Sequence, residues 1–171
     1  MRKTSRRAGL VGAVLFLILT NSVGCLISKE DRAALYYNRG NDDCKAGNFD
    51  SAIVNYTKAI QINPNFSEAY NNRGNVYFNK GDIYRATADY TEAIRTNPNN
   101  ASAYYNRGNI YAIINELDMA IADYTEAIRI DPNFAEAYDN RGLTYARKGN
   151  ARKAAADRAK ALQLNPRIRD E

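Results

Sequence analysis

The sequence contains no histidine. That absence removes the commonest general base, the commonest zinc ligand and every Ser-His or Cys-His nucleophile pair. Cysteine is nearly absent too, and Cys25 and Cys44 alone cannot frame a structural zinc site. No glycine-rich stretch runs into Gly-Lys-Ser or Gly-Lys-Thr, so there is no phosphate-binding loop of that kind. Acidic residues cluster at Asp42-Asp43 and at Glu116 with Asp118, where they read as solvated helix and turn charges. Carboxylate catalysis needs two such groups facing each other across a cleft, and no pattern here frames one. The chain is read as non-enzymatic, with no catalytic residue, metal or cofactor expected.

A basic face is missing as well, although the formal net charge is +5. Arg2, Lys3, Arg6 and Arg7 supply four of those charges, and residues 25–171 carry 20 basic against 19 acidic groups. Binding to nucleic acid requires phosphate neutralisation over a basic surface, so it is not expected.

Proline is scarce, with four residues in the chain, and they recur at one interval: Pro64, Pro98, Pro132 and Pro166. Asn-Arg-Gly keeps the same interval, at Asn38-Arg39-Gly40, Asn72-Arg73-Gly74, Asn106-Arg107-Gly108 and Asn140-Arg141-Gly142. The period is 34 residues, which divides 33–168 into 33–66, 67–100, 101–134 and 135–168 without insertions. A period of this size marks stacked supersecondary units, none able to bury its apolar face alone. Each copy holds two patterns of helical spacing, roughly Ala33 to Ala46 and Asp50 to Ile62 in the first. Gly47, Gly81, Asn115 or Gly149 separates the two, a position that suits left-handed dihedrals after a helix end. Proline then stops the second helix, and Asn65 or Asn133, with Glu68 or Glu136 three places on, is expected to cap the next one. Within copies, Gly40 and its equivalents and Ala52, Ala59 and theirs alternate with Tyr36, Tyr56 and theirs. Gap against bulk at helical spacing predicts close helix packing rather than a cofactor pocket. Arg73, Arg107 and Arg141 each have an aspartate 16 residues later, Asp89, Asp123 and Asp157, and are expected to bridge the two helices of a copy.

Tyr70, Gly74, Tyr77, Ala86, Tyr90, Ala93 and Pro98 together resemble the tetratricopeptide repeat, and the pattern returns in register across 33–168. Two positions depart from it. Asp43 stands where later copies have Tyr77, Tyr111 and Tyr145, and Arg158 replaces the second-helix aromatic of the last copy, as a polar terminal cap would. The resemblance implies an all-α fold: four stacked helix-turn-helix repeats in a short right-handed solenoid whose first helices line a concave groove. It places Tyr37, Asn71 and Tyr105, then Asn41, Asn75 and Asn109, then Phe78 in that groove. Asparagine amides there can pair with an extended peptide backbone, and tyrosines add apolar contact at low entropic cost. Family members that grip the carboxylate of a chaperone tail use lysines and an arginine where this chain has Tyr37, Tyr105 and Asn109, so that ligand is not expected.

Ahead of the repeats stand a basic start, an apolar run from Leu10 to Leu19, and Gly24-Cys25. This order describes an export signal over 1–24, the run being shorter than the ~20 residues of a spanning helix. Gly24-Cys25 resembles the lipobox of bacterial lipoproteins, which implies lipidation at Cys25, although Ser22 stands where that pattern prefers an aliphatic residue. Residues 25–32 then form a short tether and 169–171 a tail. The expected location is the bacterial envelope, lipid-anchored and facing the periplasm. Leu26 after the cysteine favours the outer membrane; an uncleaved inner-membrane anchor and ordinary secretion are the alternatives. With Cys25 acylated, Cys44 has no partner for an intramolecular disulfide. Charge is also uneven: residues 146–171 carry eight basic and three acidic groups, while 25–145 carry 12 and 16. Arg152, Lys153 and Lys160 thus offer a basic face for a partner, or for the acidic end of a second copy in a homo-oligomer. The leading expectation is a scaffold that holds a protein or peptide partner in its groove. A self-associating lipoprotein or an assembly factor for a secretion or pilus complex is the alternative.

Overall fold

The computed structural model describes residues 28–168, which form eight α-helices and, among the described residues, no strand. They are α1 Lys29–Lys45, α2 Phe49–Ile62, α3 Ser67–Asn79, α4 Ile83–Thr96, α5 Ala101–Ile113, α6 Leu117–Ile130, α7 Ala135–Arg147 and α8 Ala151–Leu164. Successive pairs make four repeats in a short right-handed solenoid. Each helix packs only on near neighbours in the chain, the quasi-one-dimensional contact pattern expected of a repeat array. The first helix begins at Lys29, ahead of the Ala33 start read from the repeat, because Ser28 accepts a hydrogen bond from the Asp31 amide and caps it. Cys25 and the segment 1–24, where an export signal is expected, lie outside the described residues. Among the described residues no helix is long and apolar enough to cross a membrane.

Left-handed dihedrals occur where the sequence places them: φ is 77° at Gly47, 79° at Gly81, 76° at Gly149 and 66° at Asn115. The capping expectation fails in detail. Asn65 and Asn133 do not cap α3 and α7, whose first residues follow Phe66 and Phe134 with no side-chain cap bond. Instead the residue before each proline folds its side chain over the turn. Asn63, Asn97, Asp131 and Asn165 accept from the amides of Asn65, Asn99, Asn133 and Arg167. These are Asx turns, a local bond that competes successfully with the cap. Where a cap bond forms between copies it comes from Asn100, one residue later than the expected position.

The core is built from small residues against rings. Ala52, Ala59, Ala86, Ala93, Ala120 and Ala127 are fully buried, and Tyr56, Tyr90 and Tyr124 are at most 2% exposed. A Cβ added to Gly40, Gly74 or Gly108 would stand 2.6, 2.8 or 2.9 Å from the ring of Tyr56, Tyr90 or Tyr124. Glycine is therefore the side chain that fits there, and its helix-propensity cost of ~1 kcal/mol is offset by burial of the ring.

Burial raises the pKa of Tyr56, Tyr90 and Tyr124 well above the ordinary 10.0. In the unfolded chain the same phenols lose their protons near pH 10, so above that pH the unfolded state binds fewer protons than the folded one. Stability should hold below pH 10 and fall as pH rises beyond it. Tyrosinate absorbance at 295 nm checks this. Part of the 13-tyrosine signal should appear only together with loss of helical circular dichroism; complete ionisation in a still-folded chain would refute it.

Candidate functional site

The Asn-Arg-Gly motif assembles each joint between copies. In the first three copies its glycine admits the tyrosine ring of the same copy. Its arginine makes a bidentate pair with the expected aspartate: Arg73 to Asp89 at 2.8 and 2.7 Å, Arg107 to Asp123 at 2.8 and 2.9 Å, Arg141 to Asp157 at 2.7 and 2.8 Å. A third guanidinium N–H reaches back to Thr57, Thr91 or Thr125 of the preceding copy. Each arginine thus ties three helices, a link that the sequence signalled only through those recurring threonines. The first copy has no such aspartate: Asn55 donates to Asp43, and Arg39 lies over the Tyr36 ring at 5.8 Å.

The motif's asparagine reaches into the groove of the copy before it. Asn72 Nδ2 donates to Asn41 Oδ1 and Tyr37 Oη, Asn106 Nδ2 to Asn75 Oδ1 and Asn71 Oδ1, and Asn140 Nδ2 to Asn109 Oδ1 and Tyr105 Oη. The same Asn41, Asn75 and Asn109 oxygens also accept the hydroxyls of Tyr56, Tyr90 and Tyr124, each at 2.8 Å. Sequence reasoning gave these groove asparagines both a donor and an acceptor for a partner. In the fold both oxygen lone pairs are used, and only Nδ2 remains to face a ligand. Asn72, Asn106 and Asn140, which set this geometry, were not among the expected groove residues.

Three depressions follow one another along the face of the first helices. The first, of about 320 Å³, holds Asn41, Cys44 and Asn75; the second, about 280 Å³, holds Asn75, Phe78 and Asn109. The third, about 620 Å³, is the apolar one, with Phe78, Ala112, Ile113, Leu143 and Ala146 in its wall and Arg147 at its rim. Tyr37 and Tyr105, both half-buried, brace this row. Their rings stand 4.9 and 4.8 Å from Phe66 and Phe134, and burial raises the Tyr105 phenol. Asn71 is buried beneath the surface and donates to Asn72. Arg152, Lys153 and Lys160 lie apart, on α8, with Lys153 over the Tyr145 ring at 5.0 Å.

In the last copy the network changes as a unit. Arg158 replaces the tyrosine and pairs with Asp139, which replaces Tyr37, Asn71 or Tyr105 of the earlier copies. With no phenol to hold, the asparagine position becomes Leu143, which is 52% exposed.

A concavity of about 1150 Å³, larger than any of these three depressions, lies between the outer side of α4 and the end of α5 and contains none of the groove positions. It marks the middle joint. At the outer joints Lys80 pairs with Asp50 and Lys148 with Asp118, whereas here the equivalent residues are Ile114 and Tyr84. The middle joint thus lacks that strap, and the groove, with its aligned amide donors, is the better candidate site.

Family models described as TPR repeat match residues 40–81, 74–114 and 108–149, and one described as tetratricopeptide repeat matches 135–168. Among solved structures the chain is similar to MamA, at 29% identity over 81% of each chain with a TM-score of 0.73. It is also similar to the first TPR domain of Spaghetti (RPAP3) bound to the HSP90 peptide SRMEEVD, at 26% identity over 72% of this chain and 98% of that one, TM-score 0.68. MamA from Desulfovibrio magneticus, at 23% identity over 81% and 78% with a TM-score of 0.69, shows the same fold. No curated protein sequence matches the chain.

Proposed function

This chain belongs to the tetratricopeptide-repeat family, and we propose that it is a non-enzymatic scaffold of the bacterial envelope that holds an extended peptide segment of a partner protein in its concave groove. The observation that carries this reading is the row of three depressions with the Asn41, Asn75 and Asn109 amide groups set along it. Repeated donors at a fixed spacing suit a backbone, which repeats, more than a small molecule, which does not. The similar Spaghetti domain holds a peptide, which supports the mode of binding. Its acidic chaperone tail is a poor model for the ligand here, since Tyr37, Tyr105 and Asn109 take the places of the cations such tails require.

Alanine at Asn75 would orphan the buried Tyr90 hydroxyl and take one of the two bonds of Asn106 Nδ2, so it tests stability as much as binding. A cleaner experiment places a photo-crosslinking side chain at exposed Asn79 in the groove or at exposed Lys58 on α2. Irradiation in envelopes should join a partner through position 79 and not through 58. Adducts from 58 alone would move the contact off the groove.

The anchor is the second part of the proposal: Cys25, after the apolar run, carries the lipid that fixes the scaffold to the membrane, facing the periplasm, with the outer membrane favoured by Leu26. The acyl chains of a mature lipoprotein together hold it firmly where one chain alone does not. Radioactive fatty acid should enter the native protein and not Cys25→Ala; no incorporation in the native chain would leave export or a signal anchor in its place.

A further inference from the structure

The third depression differs from the other two in a way that specifies its ligand. Arg147, at the last turn of α7, donates from Nη1 to the Ala112 carbonyl at 2.8 Å and from Nη2 to Asn115 Oδ1 at 3.0 Å. Both acceptors are neutral, and among the described residues no carboxylate pairs with this guanidinium. It is exposed, charged and held in place. Asn115 is the one copy of its turn position that is not glycine, and it keeps the left-handed φ of 66° that glycine would adopt more easily. The residue that departs from the repeat is thus the residue that holds Arg147. Beside it, Leu143 at 52% and Ile113 at 58% exposure replace the polar groove residues of other copies. A fixed cation at the rim of an apolar hollow presents charged donors to an incoming anion without first breaking an ion pair.

We infer that the groove between the third and fourth copies selects a peptide carrying a large apolar side chain next to an acidic one. The apolar side chain fills the hollow of Phe78, Ile113 and Leu143, and the carboxylate meets Arg147. The inference rests on the groove reading and names the partner's chemistry within it. Preorganisation by Ala112 and Asn115 means that the arginine loses little freedom on binding. The acidic group here lies at the C-terminal end of the first helices, a different place from that of the chaperone-tail cations.

Fluorescein-labelled decapeptides with a central Phe-Glu, Phe-Gln, Phe-Lys or Ala-Glu in otherwise identical Gly-Ser flanks provide the test, with anisotropy read on the full chain in detergent. Phe-Glu should bind about tenfold or more tighter than Phe-Lys, and Ala-Glu should bind weakly. Arg147→Gln should erase the preference for Glu while keeping that for Phe over Ala, with an unchanged melting curve. Leu143→Ser with Ile113→Ser should erase the preference for Phe. Equal binding of Phe-Glu and Phe-Lys, or a preference that survives Arg147→Gln, would overturn the inference while leaving the groove proposal intact. If no peptide binds and position 79 gives no crosslink, both fail together.

Discussion

Replacing Tyr124 by alanine should destabilise the array by about 3–5 kcal/mol, the range for deleting a large buried ring. The ring is 1% exposed, packs against Gly108 of its own copy and sends its hydroxyl to Asn109. Its loss leaves a cavity and takes one bond from the oxygen that also receives Asn140 across the joint. Gly108→Ala attacks the same contact from the other side, since its Cβ would stand 2.9 Å from the ring, and overpacking of this kind costs about 1–3 kcal/mol. The two changes should not add. With the ring gone the methyl group has room, and the double variant should lie at least about 1 kcal/mol above the sum of the singles. Urea midpoints for the four proteins decide this. Additive effects would mean that glycine serves the backbone at position 108 and not the ring.

The contrast between such contacts and the groove explains what could be read from the sequence. The period, the helix pairs, Asn115 in a left-handed turn and the Arg73–Asp89 type of bridge were all legible, because each returns every 34 residues and one copy checks another. What recurrence does not give is the direction of a side chain. Asn72 and Asn41 are both exposed-looking amides on first helices, and nothing in their spacing says that one donates to the other across a joint. The cap at Asn65 failed for a similar reason: two local hydrogen bonds competed, and proline geometry favoured the Asx turn at Asn63. The hollow beside Arg147 was the least legible part. It exists because Arg158, Leu143 and Asn115 depart from the repeat together, and these departures come from three separate places in the chain.

Asp123→Ala should cost about 3–5 kcal/mol, more than its single pair would suggest for a surface charge. The side chains of Arg107 and Asp123 are only 18% and 8% exposed, so alanine leaves a guanidinium desolvated, with Thr91 as its remaining side-chain hydrogen-bond partner. Hydrogen bonding to Asp123 outweighs burial and raises the Arg107 guanidinium above its ordinary value, so the arginine stays charged at every accessible pH and cannot escape the penalty by releasing its proton. Removing both partners is a different matter. Arg107→Met with Asp123→Leu replaces two charges by apolar volume of similar size, and should recover most of the loss because no unpaired charge remains. A coupling energy above about 2 kcal/mol from the cycle of Arg107→Met, Asp123→Leu and their double variant would place the pair among the buried bridges. A value near zero would assign both side chains to water. Recovery in the double variant also bears on the groove, because it would show that the Asn109 and Tyr124 network keeps its geometry without the arginine beside it. Peptide binding should then survive in the double variant and weaken in Asp123→Ala only where the fold itself is lost.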